Sequence, residues 1–256
     1  MTSGTRVCAL LGAALVALTP TRASEPDHTR ASAAARGLAQ VEPRVTVEHP
    51  STVVRGVTVW TAAGATYSEG HVAFTEGRIT SVGPGPGPDA ERVVTGEGWF
   101  VTPGLIDTHS HLGVYPSPGA GAHEDGNEMT GPLTPAVWAE HASWPQDPGF
   151  ERAVAGGVTT LQILPGSANL VGGRGVVLRP TPARGARAMR FPGAPETVKM
   201  ACGENPKRVY GERGGPATRM GNVAVLRQAL IGAQAYREAW DSYEEKAAKP
   251  QEKPKK

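Results

Sequence analysis

Pro103-Gly104-Leu105-Ile106-Asp107-Thr108-His109-Ser110-His111 is the stretch that decides how this chain is read. The Pro-Gly pair interrupts a strand-like run, and the apolar pair Leu105-Ile106 opens a new one that leads into two histidines two residues apart. Side chains at i and i+2 of an extended strand leave it on the same face. Asp107, His109 and His111 are therefore expected to project together, with Ile106, Thr108 and Ser110 opposite. Two imidazoles on one strand face suit a divalent metal, zinc first, because neutral imidazole is among its favoured ligands. An isolated His-x-His is more often plain surface or core polarity than a ligand pair, so the surroundings of the motif decide its meaning.

Upstream of the motif the texture is β. Val53, Val54, Val57 and Val59 lead to Trp60, and two strand-like runs, His71 to Thr75 and Arg78 to Val82, flank Glu76-Gly77, a two-residue hairpin signal. The run from Gly83 to Pro88 reads GPGPGP. Its prolines remove the N–H groups that a phosphate cradle would need, so it is a turn. Val93 to Val101 again looks like strand. Downstream, Asp147 to Ala155 fits a short helix stopped by Gly156-Gly157, and Val158 to Leu164 is a β-branched, apolar run of buried-strand type. Strand, helix and strand in this order belong to a βα-barrel or doubly wound plan. Val176 to Leu178 is another short strand, Pro180 to Pro195 reads as loop, and from Asn222 to Tyr243 apolar residues recur every three or four positions, which predicts an amphipathic helix.

The chain ends are of a different character. Residues 1–23 carry Arg6, no acid and an apolar run from Val7 to Leu18 that closes on Thr-Pro-Thr-Arg-Ala, a secretory signal cut near Ala23 and too short for a permanent membrane span. Export to the periplasm or the cell exterior is the expectation, with no membrane contact after cleavage. Removing Arg6 and Arg22 leaves the 26 basic residues reduced to parity with the 24 acidic ones, so no basic surplus points to nucleic acid. Cys8 falls in the signal, leaving Cys202 alone and the fold without an internal disulfide. Residues 24–51 read as a disordered leader and 244–256 as a charged tail or linker.

PGLIDTHSH at 103–111, GVTTLQILPGSANLVGGRGVVL at 157–178 and KMACGENPKRVYGERGGPATRMG at 199–221 resemble the metal-dependent amidohydrolase superfamily, in its imidazolonepropionase-like branch. The resemblance runs over residues 52–243. It implies an α/β fold in which a small β-sandwich portion, 52–103, precedes the first part of a (β/α)8 TIM barrel, 104–243. It also implies that His109 and His111 are metal ligands, with Asp107 supporting the strand end behind them. The implied cofactor is a divalent metal, zinc first. The implied reaction is hydrolysis of a carbon–nitrogen bond in a small amide, cyclic amide or peptide by metal-activated water.

Members of that superfamily add a Lys or Glu ligand from the fourth strand, histidines from the fifth and sixth and an aspartate from the eighth. Here no histidine follows His141, and about 150 residues after Gly104 are too few for a barrel of about 250. The expectation is thus a truncated barrel. Its activity belongs to a longer product, to a homo-oligomer or a split enzyme completed by a second chain, or else the chain is an incompetent fragment acting as an interaction module. A metal-dependent dipeptidase is the alternative within hydrolases. His123, His141 and the acidic loop Glu124, Asp125, Asn127 and Glu128 read as polar loop residues.

Overall fold

The computed structural model describes residues 50–248. The segments read as signal peptide, nearly all of the expected leader and the end of the expected charged tail lie outside the described residues.

The first part is one five-stranded sheet. Strands β1 (Thr52–Trp60), β2 (Thr66–Thr75), β3 (Arg78–Pro84) and β4 (Arg92–Thr95) stand in the order β3-β2-β1-β4, with β5 (Phe100–Val101) also beside β1. The β2–β3 hairpin turns at Glu76-Gly77, where φ is +51° and +72°. Positive φ at both central residues is the type I′ geometry whose twist matches that of the strands. Val53, Val57 and Val59 form the buried face of β1, across a register shift at Gly56. Where a small sandwich portion was expected, the described residues form this single sheet. The continuous strand expected over Val93–Val101 is split into β4 and β5, because Gly96 donates to Arg55 O and Trp99 back to Gly96 O in a turn between them.

The second part begins with β6 (Leu105–Ser110), paired in parallel with β7 (Val158–Ile163). Gly104 permits the close approach: a Cβ there would lie 2.1 Å from Thr159 Oγ1. Between the two strands run a helical turn, α1 (Ala139–Ala142), and helix α2 (Pro148–Ala155). Asp147 caps α2 by accepting from Gly149 N at 2.8 Å, Pro148 occupies the first turn, and Gly157 with φ +86° ends it. Beneath lies a core of Val114, Ala139, Phe150, Leu161, Ile163, Val176, Leu178 and Met189.

Beyond β7 the strands turn antiparallel. β9 (Val176–Leu178) pairs antiparallel with β7, and β8 (Val171–Arg174) antiparallel with β10 (Val198–Met200). From β6 to β10, the β6–β7 pair is therefore the parallel one among the described strands. The Pro180–Pro195 loop contains a short helix, α3 (Ala186–Met189). It is anchored because Arg187 and Arg190 reach the buried Glu140 carboxylate at 3.3 and 3.5 Å. Helix α4 (Glu204–Tyr210) follows, then α5 (Arg219–Ala248), which extends the predicted helix by three residues at its start and five at its end. No helix among the described residues is long and apolar enough to cross a membrane.

Candidate metal centre

The two motif histidines stand at the end of β6. His109 is in the strand and His111 is one residue beyond it, with ring centroids 5.2 Å apart and planes at 84°. His111 Nδ1 lies 2.8 Å from the carbonyl oxygen of Leu164, the first residue after β7. A carbonyl only accepts, so Nδ1 carries the proton and Nε2 keeps its lone pair for a ligand. The parallel β6–β7 pair sets this tautomer, because Leu164 N in turn donates to Ser110 O at 2.9 Å.

Asp107 faces the backbone. Its Oδ1 accepts from His109 N at 3.0 Å and so braces the strand end directly rather than through an imidazole.

A third residue joins them. Lys199, buried on β10, places Nζ 3.0 Å from His109 Nε2. Burial pushes the Lys199 amine below its usual pKa of 10.5. The same lysine, then loss of solvent, then His111 lower the pKa of His109, against a smaller upward pull from Asp107. Sequence reading passed over Lys199, although it opens the third block of resemblance, because nothing local distinguishes it from a surface lysine.

Two nitrogens on one tetrahedral zinc, each about 2.05 Å from it, stand about 3.3 Å apart. The His109–Lys199 separation falls within a few tenths of an ångström of that. Among the described residues no three His, Cys, Asp or Glu side chains gather at metal distance. The nitrogen groups brought together here are the His109 imidazole, Lys199 Nζ at 3.0 Å from it, and the His111 ring 5.2 Å away between centroids.

His123 and His141 do not approach it as donors. His123 stacks on Trp144 at 4.4 Å and 6°, and His141 on Trp138 at 5.5 Å and 2°. A cavity of about 480 Å³ is lined in part by Asp125, Asn127, Glu128, His141, Pro165 and Gly172, and not by His109, His111 or Lys199 themselves. Two of its lining residues neighbour that group: Pro165 follows the Leu164 that holds His111, and a Cβ on Gly172 would lie 3.7 Å from Lys199 Cγ. Its wall is held by a hydrogen-bond network that runs from the exposed Tyr115 to the buried Asn169. Tyr115 Oη donates to Asn127 Oδ1 at 2.7 Å, Asn127 Nδ2 to Asn169 Oδ1 at 3.0 Å, and Asn169 Nδ2 to Glu128 O at 2.7 Å and Gly131 O at 2.8 Å. Burial and the nearby Glu124 raise the Tyr115 pKa, which keeps its phenol a donor, and its ring stands edge-on to His111 at 5.8 Å.

Known proteins share this arrangement of strands and motif. The chain is 32% identical over 213 residues to amidohydrolase tasK of Hapsidospora irregularis, an alignment covering 70% of this chain and 21% of that one. The structure superimposes on an amidohydrolase from Thermotoga maritima MSB8 with a TM-score of 0.71 and 38% identity, covering 79% of this chain and 52% of the other. It is an amidohydrolase-superfamily chain. A 47-residue segment is 49% identical to the imidazolonepropionase of Rhizorhabdus wittichii, 17% of this chain and 12% of that enzyme, which agrees with the imidazolonepropionase-like branch. No family model matches. This amidohydrolase-superfamily chain spans about a fifth of the Hapsidospora protein and about half of the Thermotoga one, corresponding to the N-terminal portion of the superfamily fold.

Proposed function

We propose that this chain supplies the metal-holding front of a hydrolase that cleaves a carbon–nitrogen bond in a small amide, cyclic amide or peptide. The observation that carries the reading is Lys199 Nζ at 3.0 Å from His109 Nε2, with the free Nε2 edge of His111 as the adjacent donor. His109, His111 and Lys199 would hold a divalent ion, zinc being the choice their nitrogen donors favour. When bound, the ion supplies Lewis acidity and lowers the pKa of water to near neutrality.

The chain's own residues prepare that centre. Leu164 O fixes the His111 ring, Asp107 fixes the His109 backbone, and burial lowers the Lys199 pKa, which eases loss of its proton to an incoming ion. The adjoining cavity has the size of a small-molecule site, and the Tyr115–Asn127–Asn169 network holds its wall. Hydrolysis by the whole protein, its substrate and its exported location belong to the same proposal. Support for carbon–nitrogen chemistry comes from the amidohydrolase relatives. An adenine deaminase of Listeria monocytogenes, 27% identical over 164 residues, agrees with it.

Zinc titration with a chelator competitor tests the reading on the purified chain. Wild type is expected to bind zinc tightly, and His109→Ala, His111→Ala and Lys199→Met are each expected to weaken binding by at least tenfold. Equal affinity in all four proteins would remove the centre and the hydrolase reading with it.

A further inference from the structure

The nitrogen groups of the candidate centre belong to two different sheets. His109 lies near the end of β6, in the β6–β7–β9 sheet, and His111 just beyond it, whereas Lys199 stands on β10, in the β8–β10 sheet. Among the described residues β10 shares no ladder with β6 or β7, so no backbone pairing sets the distance from amine to imidazole. A separation of 3.0 Å between Lys199 Nζ and His109 Nε2 requires the two sheets to be held to within about 0.5 Å.

The chain crosses from one sheet to the other at Gly175, the single residue between β8 and β9. Gly175 N donates to Thr197 O at 3.0 Å, which sets Thr197, immediately before β10, opposite the crossing point. A Cβ on Gly175 would lie 2.7 Å from Thr197 Oγ1, so the glycine keeps the space around that hydroxyl free. Gln162 on β7 uses it. Its Nε2 donates to Thr197 Oγ1 at 3.0 Å.

Among the described residues two side-chain hydrogen bonds therefore reach from β6 and β7 to residues 197–199, Gln162 with Thr197 and His109 with Lys199. They are adjacent at both ends. Thr197 and Lys199 are two residues apart, and on an extended segment they leave it on the same face. Gln162 and His109 are bracketed by the pairs Asp107–Leu161 and Ser110–Ile163 of the parallel β6–β7 ladder. The length of the lysine does not remove the need for this support. Lys199 is buried, and its Cγ is 3.7 Å from where a Gly172 Cβ would lie, so the amine follows its strand.

Strand β7 contributes no nitrogen to the group, yet it holds both sides of it. Leu164 O orients the His111 ring, and Gln162, two residues earlier, holds through Thr197 the segment that carries Lys199. We propose that Gln162 is a positioning residue, whose amide, bound to Thr197, fixes Lys199 Nζ on His109 across the two sheets. Its consequence for zinc rests on the metal reading given above; the placement of Lys199 does not.

The full chain is compared with Gln162→Leu, which removes the amide at similar volume, and with Thr197→Val, which removes the hydroxyl and keeps the branch. Thr197→Ser keeps the hydroxyl. Without metal and at one fixed pH, the His109 ring nitrogen resonances of Gln162→Leu and Thr197→Val are expected to move from the wild-type positions toward those of Lys199→Met. Those of Thr197→Ser are expected to stay. Wild-type resonances in either folded variant would overturn the placement. With zinc and a competing chelator, Gln162→Leu and Thr197→Val are each expected to bind about tenfold more weakly than wild type. In a Lys199→Met background, Gln162→Leu is expected to cost nothing further. An equal loss in that background would overturn the proposal, because a general disturbance by the leucine is felt with or without the amine. Absence of zinc binding by the wild type would remove the metal reading and leave the His109 resonances to decide the placement. Should Gln162→Leu lose its far-UV circular dichroism spectrum, Thr197→Val decides in its place.

Discussion

Lys199 and His109 are ninety residues apart in sequence, yet Lys199 Nζ lies 3.0 Å from His109 Nε2. Strand β10 makes the contact by pairing with β8, where Lys199 stands opposite Gly173, and Gly172 beside it leaves room for the lysine stem. The lysine is the largest cause of the lowered His109 pKa. Lys199→Met, which keeps the stem and removes the amine, is therefore expected to move the His109 pKa upward in the metal-free protein. A titration of the imidazole resonances by NMR measures it. An unchanged His109 pKa would mean that the two groups do not sense each other in solution.

The same two shifts set a direction for stability. Both His109 and Lys199 have lowered pKa values in the folded chain, from 6.5 and 10.5, so in the interval below each ordinary value the unfolded chain binds more protons than the folded one. Stability of the metal-free chain then rises with pH through those intervals and falls as the pH drops through them. The His109 contribution lies just below pH 6.5 and the Lys199 contribution below 10.5. Urea unfolding at pH 5 and 6.5 is expected to give the higher midpoint at 6.5, with a smaller increase for Lys199→Met; the same trend in both proteins would assign it to other groups.

Local chemistry explains which features were legible in the sequence. Glu76-Gly77 dictates a I′ turn by itself, Asp147 and Gly157 bound α2 by themselves, and the alternation at 105–111 puts two histidines side by side. The expectation that Asp107 would project with them missed that its carboxylate binds the His109 N–H two residues on. Lys199 was illegible because β10 has three residues and its position depends on β8, more than twenty residues earlier. The direction of β8–β10 was illegible for the same reason. Strand-like composition carries no sign of whether the partner runs parallel or antiparallel. The presence of α5 was readable from its periodicity, but not its full extent, nor that its apolar residues stay exposed, since an apolar pattern looks the same whether it faces a core or not.

Gly173 is the residue on which the position of Lys199 rests. Its φ is +114°, and a Cβ would lie 2.5 Å from the Val137 carbonyl oxygen, a backbone atom that cannot swing aside because Arg174 N donates to it. Gly173→Ala combines a strained backbone with a clash, and is expected to cost about 3 kcal/mol by urea denaturation. Since Lys199 pairs with Gly173, zinc affinity is expected to fall as well. A folded variant with wild-type zinc affinity would show that Lys199 is positioned independently of β8.

Asn169 tests whether the cavity wall is built by hydrogen bonding. Its side chain is fully buried, and Nδ2 reaches Glu128 O at 2.7 Å, Gly131 O at 2.8 Å and Thr134 Oγ1 at 3.1 Å while Oδ1 accepts from Asn127. Asn169→Ala leaves two partly buried carbonyls without that donor, an expected loss of about 1–3 kcal/mol. Asn169→Asp keeps the shape but turns a buried carboxylate toward the same two carbonyls, so it is expected to be the more damaging change at neutral pH despite the smaller loss of volume. Lowering the pH protonates that carboxylate and restores one donor. The Asn169→Asp protein should therefore recover stability relative to Asn169→Ala on acidification, whereas a wall held by packing alone would rank Ala as the worse substitution at every pH.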